Sequence, residues 1–161
     1  MASIDLTTIG IRFGYATESS AGTRPSSFVN VSNPKDTPDM SPQPDTIDAT
    51  SLNDLEFKRY LMGLKDTGGS VSFTVAMSQQ TLNQWNTMCE SAKTALAQGK
   101  ATWFVLYHPS LSKSFFFKGE PAKLGFPSAG VNAAWDATVY IAPTGGFTWE
   151  TAVNPTDYVS A

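Results

Sequence analysis

The sequence predicts a mainly β protein: an antiparallel β-sandwich or barrel-like subunit with one flanking α-helix and a long Pro-rich loop. Three observations support this fold class. Short segments in which polar and apolar residues alternate, as in half-buried strands, recur through the 161 residues. One segment has apolar residues three or four apart, as in an amphipathic helix. Turns rich in Gly and Pro separate the segments. We expect the whole chain, 1–161, to form one domain.

The first half of the chain is predicted to contain four strands. Residues 8–15 alternate strictly between polar or glycine positions and large apolar side chains. A short second strand is expected at 28–31. Two further alternating segments, 46–52 and 70–77, follow, and the second places four apolar side chains on one face.

A long loop is expected over 17–45, around the short second strand. Within it, residues 33–45 hold four prolines and show no periodicity. Proline fixes φ and removes a backbone donor, so this segment is predicted to be extended and irregular. Loops of this length without structure of their own are usually functional or disordered.

A single helix is predicted over residues 79–98. Ser78 suits the N-cap position, and Gly99 suits the position just after the helix. The apolar stripe is expected to contain Leu82, Trp85, Met88, Cys89, Ala92 and Leu96.

The second half of the chain is predicted to add short strands separated by tight turns. The candidate strands are 101–109, 114–119, 122–128, 133–142 and 147–152. The tail, 152–161, is expected to be irregular.

Composition excludes several classes of function. Apolar residues make up 41% and charged residues 16% of the chain, which is typical of a globular protein. The net charge is −3 and no run of Lys or Arg occurs. Both observations argue against electrostatic binding of nucleic acid. No segment approaches the ~18 apolar residues of a membrane span. The N-terminus lacks the features of a signal peptide, so synthesis in a cytoplasm is expected.

The Gly-rich segment GLKDTGGS, residues 63–70, superficially resembles a phosphate-binding loop. That loop requires a lysine and a Ser or Thr directly after the second conserved glycine, with a helix behind it. Here Gly69 occupies the lysine position and a strand follows. The segment is therefore interpreted as a turn.

No catalytic, cofactor-binding or metal-binding residues are expected, and the chain is predicted not to be an enzyme. The acids Asp36, Asp39, Asp45 and Asp48 do not match the spacing of a calcium loop. His108 is the sole histidine and lies at the end of a predicted strand. Cys89 lies on the apolar stripe of the helix, where a core role is more common than a nucleophilic one.

The order of these segments resembles the major tail tube protein family of long, non-contractile-tailed bacteriophages. The resemblance covers roughly residues 5–150. Its most specific part is IDATSL followed by KRYLMGLKDTGG, and it includes TWFVLYHP and WDATVYIAPTGGFTW. The resemblance implies a fold shared with the tube proteins of contractile tails and of the type VI secretion machine.

The resemblance also implies a function and a set of partners. Family members form hexameric rings that stack into a tube, which encloses the tape measure protein and later conducts DNA into the host cell. Tail terminator and distal tail or baseplate proteins would bind its ends. The chain would then be a virion component, made in the host bacterial cytoplasm. DNA would pass through the lumen without sequence-specific binding, and the chain would bind no membrane.

The irregular segments are the candidates for contacts between subunits. Residues 17–45 are predicted to contact the next ring, with Arg24, Phe28 and Met40 as the residues involved, and 53–69 to help pack subunits. The alternative is a monomeric β-sandwich binding or adhesion module on a virion. Such a module should expose an aromatic cluster on one face and remain monomeric at high concentration.

Overall fold

The structure is a computed structural model that describes residues 5–66 and 68–157. Within these residues the chain forms ten strands and one helix. They are β1 (Arg12–Thr17), β2 (Val29–Asn30), β3 (Pro34–Asp36), β4 (Gln43–Asp48), β5 (Tyr60–Asp66), β6 (Val71–Ala76), α1 (Gln79–Ala97), β7 (Thr102–Tyr107), β8 (Lys113–Pro121), β9 (Asp136–Pro143) and β10 (Thr148–Thr151).

Eight of the strands form one curled antiparallel sheet. Its order is β2–β1–β7–β8–β9–β6–β3, and β10 pairs with the start of β8. The first part of β8 pairs with β7 and β10, and its last three residues pair with β9, so this strand links both parts of the sheet. Helix α1 packs against β8, β1 and β7. This arrangement confirms the predicted fold class.

Phenylalanine rings fill the space that the curled sheet encloses. The ring centroid of Phe13 lies 4.4 Å from that of Phe73, and the centroids of Phe104 and Phe117 are 5.2 Å apart. Trp85 of the helix is also buried, and its indole N–H donates a 2.9 Å hydrogen bond to the Ala122 carbonyl. Burying one such side chain contributes roughly 1.5–3 kcal/mol, so these rings dominate the stability of the subunit.

Helix α1 begins at the predicted residue, Gln79, and ends at Ala97, one residue before the predicted end. The Ser78 hydroxyl accepts a 3.1 Å hydrogen bond from the Thr81 N–H, as an N-cap does. Gly99 follows the helix with a φ of +73°, a conformation that favours glycine. The N–H groups of Gly99 and Lys100 donate to carbonyls of the last turn, which closes the helix.

The buried face of α1 differs in part from the predicted stripe. Trp85 is buried as predicted, whereas Leu96 is exposed. Gln84 is buried although it is polar, because both its amide oxygen and its amide nitrogen form hydrogen bonds with backbone groups. It accepts from the Ser32 N–H and donates to the Asn30 carbonyl, both at 2.6 Å.

The prediction of one irregular segment over 33–45 is wrong at both ends of this range. Residues Pro34–Asp36 form β3, which pairs with β6, and β4 already begins at Gln43. Because β3 is the edge strand of the sheet, Pro34 is tolerated there. Within this range, residues 33 and 37–42 are free of strand.

The segment 53–69 is also more than a connection. Residues Tyr60–Asp66 form β5, which pairs with β4 in an antiparallel hairpin, with Ile47 opposite Leu61. The sequence did not indicate this strand because YLMGLKD lacks an alternating pattern. The predicted strand 46–52 is displaced, since β4 covers 43–48.

Two other strand predictions need correction. Strand β1 starts at Arg12 rather than at residue 8, because Gly10 turns the chain with a φ of +89°. Residues 122–128 form no strand. This segment carries Gly125 and Pro127, which disfavour a strand ladder.

Residues 152–157 contain no helix or strand, but they are tied to the sheet. The Thr156 N–H donates to the Phe28 carbonyl at 2.9 Å, and the Thr156 carbonyl accepts from the Asn30 N–H. The remainder of the predicted tail, 158–161, lies outside the described residues. Helix α1, the helix of the described chain, is not apolar enough to cross a membrane.

Candidate interaction surface

The two residues most suited to nucleophilic or acid–base chemistry have structural roles. The Ser110 N–H donates to Nδ1 of His108 at 3.0 Å, so Nε2 carries the proton and donates to the Thr7 carbonyl at 2.7 Å. The imidazole thus ties residues before β1 to the turn after β7. Burial, together with nearby Glu90, raises the pKa of the Cys89 thiol, which disfavours the reactive thiolate.

The Gly-rich segment forms the turn between β5 and β6. Gly68 and Gly69 have φ values of +88° and +71°, which favour glycine. The Gly68 N–H, which a phosphate loop would direct at its ligand, donates instead to the Asp66 carboxylate at 2.8 Å. This contact supports the interpretation of the segment as a turn.

Two of the four aspartates considered as calcium ligands, Asp39 and Asp48, accept hydrogen bonds within their own turns. The Asp39 carboxylate accepts from the Ser41 N–H and the Asp48 carboxylate from the Thr50 N–H, both at 3.0 Å, and these contacts lower both pKa values. In the part of the chain that the structure describes, no three His, Cys, Asp or Glu residues come close enough to hold a metal ion.

The hairpin of β4 and β5 is the most unusual surface feature. It forms its own two-stranded sheet, which pairs with no other described strand. Its large apolar side chains are exposed along both strands and at the tip. They are Ile47, Leu52, Leu55, Phe57, Tyr60, Leu61, Met62 and Leu64. Exposed apolar side chains in this number mark a site of interaction, because their exposure to water is unfavourable.

The tip of the hairpin, residues 49–59, is the most exposed part. Leu52, Leu55 and Phe57 retain 100%, 91% and 81% of their accessible surface. In the sequence LNDLEFKR, residues 52–59, acidic and basic residues separate these apolar side chains. The charged residues alone would indicate an ordinary surface turn.

Hydrogen bonds hold the tip in one conformation despite this exposure. The Asp54 carboxylate accepts from the Ser51 N–H at 2.8 Å and from Arg59 Nε at 2.9 Å, and these contacts lower the pKa of Asp54. Arg59 also donates its backbone N–H to the Thr50 hydroxyl at 3.0 Å. The tip is therefore preorganised, which reduces the entropy lost when it binds a partner.

The three residues predicted to contact the next ring all contact their own subunit. Phe28 is buried against Phe116, and the guanidinium carbon of Arg24 lies 4.3 Å from the centroid of the Phe116 ring. Met40 is buried in the main core cluster. These packing roles explain why the loop is ordered. The inter-ring role of Arg24, Phe28 and Met40 stays a prediction.

A second exposed apolar feature lies in the loop that joins β8 to β9, residues 122–135. Phe126 is 84% exposed, and its ring centroid lies 5.3 Å from that of Trp135. The Trp135 indole N–H donates to the Pro127 carbonyl at 3.3 Å, which orders the loop. Sequence reasoning missed both apolar surfaces. The available signal was the presence of Leu and Phe in segments otherwise rich in turn residues.

No protein-family model matches the sequence. No curated protein sequence matches it either. Solved structures do share the fold. One is a chain in the cryo-EM structure of the anti-feeding prophage (AFP) baseplate, six-fold symmetrised, with a TM-score of 0.58 and 10% identity over 93% of this chain and 98% of that one.

Another chain with this fold belongs to the tail of an empty GTA particle, determined by helical refinement with C6 symmetry. Its TM-score is 0.59 and its identity is 14% over 91% of this chain and 100% of that chain. The fold of the described residues is therefore one that is found in two six-fold symmetric particles.

Proposed function

We propose that this chain is a structural virion protein that self-assembles into hexameric rings, and that the rings stack to form the tail tube of a bacteriophage. The observation that carries the proposal is the β4–β5 hairpin, whose apolar side chains are exposed and whose strands pair with no other described strand. The fold shared with chains of two six-fold symmetric, tail-like particles supports the same function.

Strand edges give a physical reason for ring formation. The hairpin pairs with no further strand among the described residues, so its outer edges leave backbone groups without ladder partners. Such edges favour pairing with another chain. If each subunit contributes its hairpin to a closed inner wall, the edges are satisfied. A head-to-tail contact of this kind closes when the rotation per subunit divides a full circle.

The proposed tube would enclose the tape measure protein and later conduct DNA. Tail terminator and distal tail or baseplate proteins would bind its two ends. The net charge of −3 suits a conduit, because a mildly acidic wall does not retain DNA through counterion release as a basic wall does. In this role the chain catalyses no reaction and takes no cofactor.

One observation favours a second function, a monomeric binding or adhesion module on a virion. The exposed pair of Phe126 and Trp135 is an aromatic cluster of the kind that such a module presents. The two functions differ in oligomeric state, and the hairpin favours assembly.

Sedimentation velocity and negative-stain microscopy of the purified full chain test the proposal. The sample should be examined over a wide concentration range and at raised sulfate concentration, which strengthens apolar association. Rings or hollow tubes are the expected result. A chain that sediments as a single subunit under every condition would overturn the proposed function and support the binding module.

A further inference from the structure

An apolar groove at the end of β6 stays open among the described residues. Residues Met77, Leu82, Leu124, Phe126 and Trp135 are the apolar residues that line it, and we call it the β6-end groove. Its volume is about 440 Å³, comparable to that of a small ligand site. Phe126 at its rim remains almost fully exposed.

The hairpin tip lies elsewhere in the same subunit. Strand β5 leads into the start of β6 at Val71, whereas the groove begins at Met77, directly after the end of β6. Six residues of extended chain separate Val71 from Met77, which corresponds to roughly 20 Å. Both the tip and the groove are exposed in one subunit, so a tip does not cover the groove of its own chain.

We propose that the β6-end groove is the acceptor for the hairpin tip of a second copy of this chain, with Leu52, Leu55 and Phe57 packing against Phe126 and Trp135. This assignment rests on the proposed self-assembly and names the surface that receives the hairpin. Both surfaces are apolar and exposed, and both are held by hydrogen bonds within their own loops.

Charge favours one register of this pairing, because the exposed tip carries Glu56 on one side of Phe57 and Lys58 on the other, and neither forms an ion pair among the described residues. Lys123 lies beside Leu124 at the groove. Its side chain is also exposed and forms no ion pair within 4.0 Å in the described part of the chain. Opposite charges beside two apolar surfaces favour one docking register and disfavour others.

A tip-to-groove contact has a direct consequence for assembly. Donor and acceptor are different surfaces of one chain, so each added copy presents a new free tip and a new free groove. Such a heterologous contact propagates when the rotation does not close. We assign the tip-to-groove contact to the direction in which rings stack, as distinct from the edge pairing that closes each ring, so its loss should stop elongation.

Two variants separate the donor from the acceptor. The donor variant carries Leu52→Ser, Leu55→Ser and Phe57→Ser, and the acceptor variant carries Phe126→Glu, which also places a carboxylate opposite Glu56. Val131→Glu is the matched control, because Val131 is 93% exposed in the same loop but does not line the groove. Circular dichroism and thermal denaturation should show that all three fold as the unaltered chain does.

The expected result is that the donor and acceptor variants form no stacked tubes at concentrations where the unaltered chain and Val131→Glu assemble. Each loss should correspond to a critical concentration raised by roughly tenfold or more. Equal assembly by Phe126→Glu and Val131→Glu would overturn the acceptor assignment, and so would an equal loss in both.

Mixing the two defective variants provides the sharper test. The acceptor variant retains an intact tip, and the donor variant retains an intact groove, so one junction can form between them. Sedimentation velocity should show association in the mixture that stops at a fixed size. No association in the mixture would overturn the inference, even where the unaltered chain forms tubes. Failure of the unaltered chain to assemble would instead overturn the proposed function.

Discussion

The carboxylate of Glu18 accepts a 2.8 Å hydrogen bond from the indole N–H of Trp103 and is buried despite its charge. Its second oxygen accepts from the N–H groups of Gly22 and Ala101 at 2.9 and 3.1 Å. One side chain thus joins the loop after β1 to the start of β7. A buried carboxylate is tolerated here because its hydrogen-bonding capacity is used.

Replacing Glu18 with Ala should lower the free energy of unfolding by about 1–3 kcal/mol. The substitution leaves the half-buried donors of Trp103 and Ala101 without their acceptor, and an unsatisfied donor shielded from water carries a cost of this size. Urea denaturation of the unassembled chain measures the change. Glu150→Ala, at an exposed position of β10, is the control and should have little effect. Equal stability of both variants would contradict the structural role of Glu18.

The same carboxylate predicts a pH dependence of stability. Burial opposes its ionisation, but the bonds from Trp103, Ala101 and Gly22 outweigh burial, so the pKa of Glu18 lies below its ordinary value. A lowered pKa stabilises the folded chain above the unfolded-state pKa of about 4.3. That contribution is lost as the pH falls through the folded-state pKa.

Unfolding experiments between about pH 3 and 6 should therefore show a steeper loss of stability for the unaltered chain than for Glu18→Gln. Other acids affect both chains equally, so the difference between them isolates Glu18. Parallel curves for the two chains would contradict the lowered pKa.

Close packing at Gly119 predicts a second stability effect. A Cβ at this position would lie 2.6 Å from Cγ2 of Ile141 and 3.1 Å from the Ala142 carbonyl oxygen. Gly119→Ala should therefore lower the free energy of unfolding by about 1–3 kcal/mol, as overpacking does. Gly146→Ala is the matched control, because a Cβ there meets no atom within 4 Å. Thermal denaturation of both variants distinguishes overpacking from a general effect of replacing glycine.

Preorganisation of the hairpin tip predicts a variant that folds but assembles poorly. Asp54→Asn weakens the contacts to Ser51 and Arg59 that order the tip, without removing an apolar side chain. The subunit should keep its circular dichroism spectrum, while its critical concentration for assembly rises. Asp45→Asn in β4 is the control, because the Asp45 side chain is exposed and forms no hydrogen bond among the described residues. Light scattering during assembly measures the difference, and identical curves would contradict preorganisation.

Elements with a strong local pattern were predictable from the sequence. Helix α1 has its cap at Ser78 and its closing glycine at Gly99, and both signals are local. Strand β6 alternates buried and exposed side chains as its sequence indicates. The fold class followed from these signals, because each depends on neighbouring residues alone.

The hairpin could not be predicted in the same way. Strand β5 has no alternating pattern because both of its faces are exposed in the isolated subunit. The buried side chains of Phe28 and Met40 are set by long-range packing, which a local pattern of irregular residues does not reveal. A surface that binds another chain is recognised by its exposed apolar side chains. Their exposure becomes evident only once the fold is known.

The most direct test of the central claim, that the exposed hairpin tip drives self-assembly, is sedimentation velocity of the unaltered chain beside the Leu52→Ser, Leu55→Ser, Phe57→Ser variant at equal concentration. The unaltered chain should form large particles, while the variant remains smaller and retains the same thermal unfolding. A variant that forms tubes as readily as the unaltered chain would contradict this account.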